Sequence, residues 1–150
     1  MSQISTRVER KRRKRKERNQ KLSFWVAQTV LAGIFFLSGM LKLIMSTDML
    51  AQSDPWIYLA PVWFVKLIGI IELAAGVGLI LPAMLRYRTV WSLRAGYGIL
   101  ALLILATVFH VIRQEWSILF QITVLAALDI YVIWGRLKVD PIRDQPTTQR

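Results

Sequence analysis

Residues 22–41 read LSFWVAQTVLAGIFFLSGML, twenty residues without a formal charge. At about 1.5 Å of rise per residue, a helix of that length matches the roughly 30 Å hydrocarbon core of a bilayer. The stretch therefore predicts a membrane-spanning helix over 22–45, and three more follow. Residues 62–85, VWFVKLIGIIELAAGVGLILPAML, are interrupted by Lys66 and Glu72. A central acid costs about 2.5–3.5 kcal/mol, whereas each Leu, Ile, Val or Phe returns about 0.3–0.6 kcal/mol, so a dozen of them carry it in. Residues 95–112 and 116–134 supply the third and fourth spans. The predicted fold is all-α, a polytopic bundle of four transmembrane helices forming a membrane domain over 22–137. Its connections are an outer loop with DPWIYLAP, a basic RYRTVWSLR loop and a tight RQEW turn. Pro55, Pro61 and Pro82 are expected at span ends, where helices stop.

Composition agrees. The 150 residues are 55% apolar and 19% charged, with a net charge of +11, whereas an average soluble domain is about 45–50% apolar and about 25% charged. The length suits one compact unit and excludes a multidomain enzyme. Without cysteine there is no disulfide framework, Fe–S cluster, Cys-based zinc site or thiol chemistry. A single histidine excludes bis-His haem within one chain, and no cluster with metal-ligand spacing is present. All six tryptophans fall at predicted interfaces, Trp25, Trp91 and Trp134 on one side and Trp56, Trp63 and Trp116 on the other, as amphipathic indoles prefer.

Seventeen of the twenty basic residues lie on the side of the two termini: ten in residues 1–21, then Arg86, Arg88, Arg94, Arg136, Lys138, Arg143 and Arg150. The positive-inside rule then places both termini in the cytoplasm. The segment ERKRRKRKERNQK resembles a nucleic-acid patch in composition, but it abuts a span and lacks aromatic interleaving for base stacking. It reads instead as a disordered cytoplasmic tail over 1–21 that sets topology and touches anionic lipid; residues 138–150 form the second cytoplasmic tail. The apolar run is longer than the h-region of a cleaved signal peptide, and no small-x-small site follows it.

Ionisable groups inside lipid are costly, and by default they mark a functional site with a nameable partner. Counted from the tryptophan belts, Lys42 and Lys66 lie about 25 Å above the inner face, His110 and Gln121 about 22 Å, Glu72 about 16 Å and Asp129 about 10 Å. Lys42, Lys66, Glu72, His110 and Gln121 thus form a candidate ligand-binding or polar cluster in the outer half. Glu72 is placed to meet either lysine. At about 100° per residue, Gly69 and Gly76 share a face flanked by Lys66 and Glu72, and with Gly39 they should let helices approach closely. The plain structural alternatives are lysines that snorkel to the interface, a His110 bonded there, an Asp129 paired with Arg136 or with the Arg86 to Arg94 loop, and an ion pair that only fixes helix register.

FLSGMLKLI with Lys42, IGIIELAAGVGLILP with Glu72, FHVI with His110 and the terminal WGR together resemble the DoxX-like family over about residues 24–136. That resemblance implies a small bacterial inner-membrane protein with four helices. It also suggests association with quinone chemistry, because the family's name derives from a subunit of a thiosulfate:quinone oxidoreductase or terminal quinol oxidase. The basic tail lies outside the match.

Three functions compete. One is a quinone-associated or scaffolding subunit of a membrane redox complex, with quinone as the ligand and Lys42, Glu72 and His110 in contact with it; lacking a redox centre, the chain would need a catalytic partner. Another is a proton-coupled transporter using Glu72, although two nearby lysines would hold that acid ionised and repel cations. In the third, a scaffold or a homo-oligomer, the polar residues only lock the bundle. No nucleophile–base arrangement or phosphate loop supports autonomous catalysis.

Overall fold

The structure, a computed structural model, describes residues 2–85 and 90–139. Its elements are α1 (Ser2–Ile44), α2 (Thr47–Ser53), a 3₁₀ turn (Pro55–Leu59), α3 (Val62–Leu85), α4 (Val90–Ile112) and α5 (Trp116–Lys138). Helices α1, α3, α4 and α5 are long and apolar enough to cross a membrane. They form a closed ring in which α1 packs on α3, α3 on α4, α4 on α5 and α5 on α1. Arg86, Arg88 and the expected tail beyond Val139, with Arg143 and Arg150, lie outside the described residues.

Two boundaries differ from expectation, and one proline expected to stop a helix does not. The basic segment expected to be a disordered tail is the first half of α1, which runs unbroken for 43 residues. A preformed span supplies the nucleus that helix propagation otherwise lacks, and Arg, Lys, Glu and Gln are good helix formers. Helix α4 begins at Val90 and takes in Trp91 and Arg94, which were expected in a loop. Helix α3 continues through Pro82 to Leu85. Proline removes one backbone bond, the one its position would make to the Gly78 carbonyl; at the next residue, the Leu79 carbonyl accepts from Ser92 Oγ at 2.5 Å and Gln28 Nε2 at 2.6 Å. The outer loop also holds helix α2, started by Ser46, whose side chain accepts from the Met49 amide.

Two spacings explain how the bundle closes. Along α1, Phe24, Gln28, Leu31, Phe35, Ser38 and Lys42 alternate in steps of four and three, and so do Ser92, Gly96, Ile99, Leu103, Ala106 and His110 along α4. Such a stripe keeps one face toward neighbouring helices over five turns. Phe24, Leu31, Phe35, Leu79, Ile99, Leu103, Ile122 and Val132 are its buried apolar members and partners. Outside the bundle, large apolar side chains such as Leu105, Ile112 and Phe120 are exposed, as lipid-facing surfaces require. A smaller core of Leu50, Ala51, Ile57 and Val65 fastens α2 and the 3₁₀ turn over the outer end of α3.

At the α1–α3 crossing, backbone meets backbone. A Cβ on Gly39 would lie 2.6 Å from the Gly69 carbonyl oxygen, and one on Gly76 would lie 2.8 Å from that of Ala32. Backbones can come so close only where side chains are missing.

Candidate functional site

That close crossing brings Lys42 of α1 against α3, and it settles which lysine meets Glu72. Lys42 Nζ lies 2.9 Å from Glu72 Oε2 and 3.2 Å from Oε1, and it also donates to Ser38 Oγ at 2.6 Å. Both side chains of the pair are largely buried, 9% and 15% exposed. An isolated charge at this depth would cost several kcal/mol, so each carries the other into the membrane. Lys66 has a different role. Its ammonium donates to the carbonyls of Leu43 and Met45, both at 3.0 Å, and so closes the end of α1, where carbonyls have no helical partner.

The pair lies on the wall of a cleft of about 950 Å³ that touches all four spans. Asp54, Trp56, His110 and Arg113 line it near the ends of the spans, and the buried apolar side chains of Phe35, Leu103 and Ile122 line it nearer their middle. The volume falls within the range of small-molecule sites, which are mostly apolar with a few polar groups for orientation. Trp56 and Phe109 meet edge to face with centroids 6.2 Å apart.

His110 is buried at the cleft, and its Nδ1 lies 2.5 Å from Glu115 Oε2. Arg113 Nε donates to the other oxygen of Glu115 at 2.7 Å. The backbone of Gln114, in the left-handed region at φ 57°, turns the chain sharply between α4 and α5, so that residues 110, 113 and 115 face one another. The hydrogen bond from His110, then that from Arg113 and the charges of both, hold the Glu115 carboxyl below its ordinary value despite some desolvation.

Of the residues expected in an outer-half cluster, the structure brings Lys42, Glu72 and His110 to one cleft. Lys66 is committed to the end of α1, and Gln121 is exposed on the bundle's outside, away from the cleft. Gln121 is only one position from buried Ile122, and that single step of about 100° turns it outward. The sequence reading missed Ser38 as a partner, and it missed Arg113 and Glu115, which it took only as a turn.

It also missed a polar layer at the opposite end of the bundle. Gln28 bonds the Leu79 carbonyl, and Arg136 Nη2 donates to Gln28 Oε1 at 2.5 Å while its guanidinium stacks 4.9 Å from the Phe24 ring. Ser92 joins the same carbonyl. The signal was available, since Gln28 shares the stripe of Lys42 and Ser92 that of His110. Asp129 was expected to pair with Arg136 or the basic loop; it is fully buried beside Gly96, and neither carboxyl oxygen has a hydrogen-bond partner among the described residues. Nor do the described residues hold a cluster of three metal-ligating side chains.

Compared with known protein families, residues 26–131 match the DoxX-like family. No curated protein and no solved structure matches the chain significantly.

Proposed function

The chain belongs to the DoxX-like family, and from that premise we propose that it is a non-catalytic membrane subunit whose cleft holds a lipid-soluble ring compound of the quinone class for a redox partner. The observation that carries this reading is the cleft itself: about 950 Å³, apolar and aromatic along most of its wall, with Lys42, Glu72 and His110 among its few polar lining residues. A ring with a polar head and a greasy tail fits that division, head against the polar group and tail toward Phe35 and Leu103. Binding needs few polar contacts when most of the ligand is buried in apolar walls.

The setting we propose is a bacterial inner membrane, with both termini cytoplasmic and the basic half of α1 near anionic headgroups. The charge asymmetry supports that orientation. A proton-coupled transporter has less support, because the Glu72 carboxylate is already taken by Lys42. A transported cation would have to displace an ammonium held by three contacts.

The test is extraction. Protein purified from native membranes in a mild detergent should release a stoichiometric lipid-soluble quinone on solvent extraction, seen by mass spectrometry, and Phe35→Trp, which fills the apolar part of the cleft, should abolish it. Quinone no more abundant than in mock-purified lipid would overturn the reading.

A further inference from the structure

Helix α5 carries a packing stripe that the bundle covers only in part. Ser117, Gln121, Val124, Leu128, Tyr131 and Gly135 follow one another in steps of four and three, the spacing that keeps one face of a helix against a neighbouring helix. Toward Lys138 that neighbour is α1: Tyr131 shares a 2.9 Å hydrogen bond with Ser23, and the Phe24 ring lies against Gly135. Toward Trp116 the stripe is uncovered. Leu128 is half-buried, and Ser117, Gln121 and Val124 are exposed.

Gln121 gives the open part its chemistry. It lies five residues past Trp116, about 7.5 Å along the helix, within a span long and apolar enough to cross a membrane. Hydroxyls in such positions satisfy themselves: Thr123 donates to the Leu119 carbonyl at 2.8 Å and, on α4, Thr107 donates to that of Leu103 at 2.7 Å, each one turn back. The Gln121 amide has no hydrogen-bond partner among the described residues. Lipid tails meet neither its donors nor its acceptor, and membrane helices relieve such groups by hydrogen-bonding across to another helix.

We propose that the chain forms a two-fold dimer through this half of α5, with the two Gln121 amides hydrogen-bonded to each other. Symmetry and the amide together identify the occupant. Copies of one chain insert with the same topology, so two α5 helices meeting about an axis along the membrane normal run parallel and oppose residues of equal depth. Whatever stands at position 121 must therefore bind itself. A carboxylate or an ammonium would repel its copy, whereas an amide donates through N–H and accepts at its carbonyl, so a facing pair closes two hydrogen bonds. Ser117, one turn away on the same stripe, is small enough to let the helices approach.

Because the chain has no cysteine, single introduced cysteines can map the contact. In proteoliposomes oxidised with copper phenanthroline, Ser117→Cys and Val124→Cys should cross-link into a dimer, whereas Thr123→Cys, two residues and about 200° on from Gln121, should not. Förster transfer between donor-labelled and acceptor-labelled full chains, followed as added lipid dilutes the protein, should give a dimer dissociation constant that Gln121→Leu raises at least about fivefold and Thr123→Leu changes by less than about twofold. Both variants should keep the wild-type helical circular dichroism, which separates lost association from lost fold. A chain that is monomeric at every dilution, a dissociation constant unmoved by Gln121→Leu, or cross-links as efficient from position 123 as from 117 and 124 would overturn the proposal and leave this face to lipid or to a different protein.

Discussion

Two chemically identical changes on one helix, six residues apart, should have opposite effects. Gly39→Ala places a Cβ 2.6 Å from the Gly69 carbonyl oxygen and 2.6 Å from the Leu73 amide nitrogen, whereas ordinary contact begins at 3.4 Å. The obstructing atoms are backbone, so no rotamer relieves them, and α1 and α3 must part by several tenths of an ångström. Overpacking a tight core costs about 1–3 kcal/mol, and with rigid neighbours the upper end applies. Against this, alanine gains about 1 kcal/mol in helix propensity over glycine. The net is a loss of about 2 kcal/mol, roughly 30-fold in the folding equilibrium. Gly33→Ala meets nothing within 4 Å, so it keeps the propensity gain and should be neutral to about 1 kcal/mol stabilising. Reversible unfolding in mixed dodecylmaltoside and SDS micelles, followed by tryptophan fluorescence, would place the two variants on opposite sides of the wild type. Equal midpoints for Gly39→Ala and Gly33→Ala would refute the close crossing.

Lys42→Met or Glu72→Leu alone strands a buried charge and should cost about 3–5 kcal/mol, whereas the double variant should recover most of that loss; additive losses in the same unfolding assay would dissolve the pair. Asp129→Leu removes a buried carboxyl that has no bonding partner among the described residues, and it should stabilise by about 1–3 kcal/mol in that assay. Because Glu115 titrates below its ordinary range in the folded chain, its link to His110 and Arg113 contributes fully above the unfolded value of about 4.3 and is lost as pH falls through the lower folded value. Thermal midpoints should therefore drop below about pH 4, and Glu115→Ala should flatten that drop. Alkaline phosphatase fused after Asp54 should be active and a fusion after Arg88 inactive, as cytoplasmic termini require; the reverse pattern would invert the topology.

How much of this was legible beforehand follows from which forces act over short stretches of chain. Spans are local: twenty apolar residues declare themselves by length alone, and the ends of α3 and α5 were within a few residues of expectation. The glycine stripe was legible for the same reason, since Gly69 and Gly76 lie on one turn-to-turn face whatever surrounds them. Pairing was not local. Lys42 and Lys66 were equally plausible partners for Glu72 by depth, and the choice came from a crossing at Gly39 that presses Lys42 against α3 and leaves Lys66 facing the end of α1. Glu115 was hidden because its role depends on the left-handed turn at Gln114, which folds the carboxylate back onto the preceding helix. Gln121 misled because depth was counted and azimuth was not.

The distribution of polar groups along the stripes of α1 and α4 bears on mechanism more than any single residue does. Each stripe is polar toward both ends, with Gln28 at one and Ser38 and Lys42 at the other along α1, and Ser92 and His110 along α4; between these ends lie Leu31, Phe35, Ile99 and Leu103, all buried. The hydroxyl of Thr107 faces back onto the Leu103 carbonyl, so it adds no step toward the layer at Gln28 and Ser92. A polar solute entering the outer cleft would thus meet a closed apolar floor, where losing water without a partner costs several kcal/mol per polar group. Crossing would need the helices to part at the Gly39 and Gly76 contacts, where backbone meets backbone, while a hydrophobic tail could rest on the same floor without rearrangement. On the function proposed above, such a floor suits an amphiphile resting in the cleft better than a solute passing through the bundle.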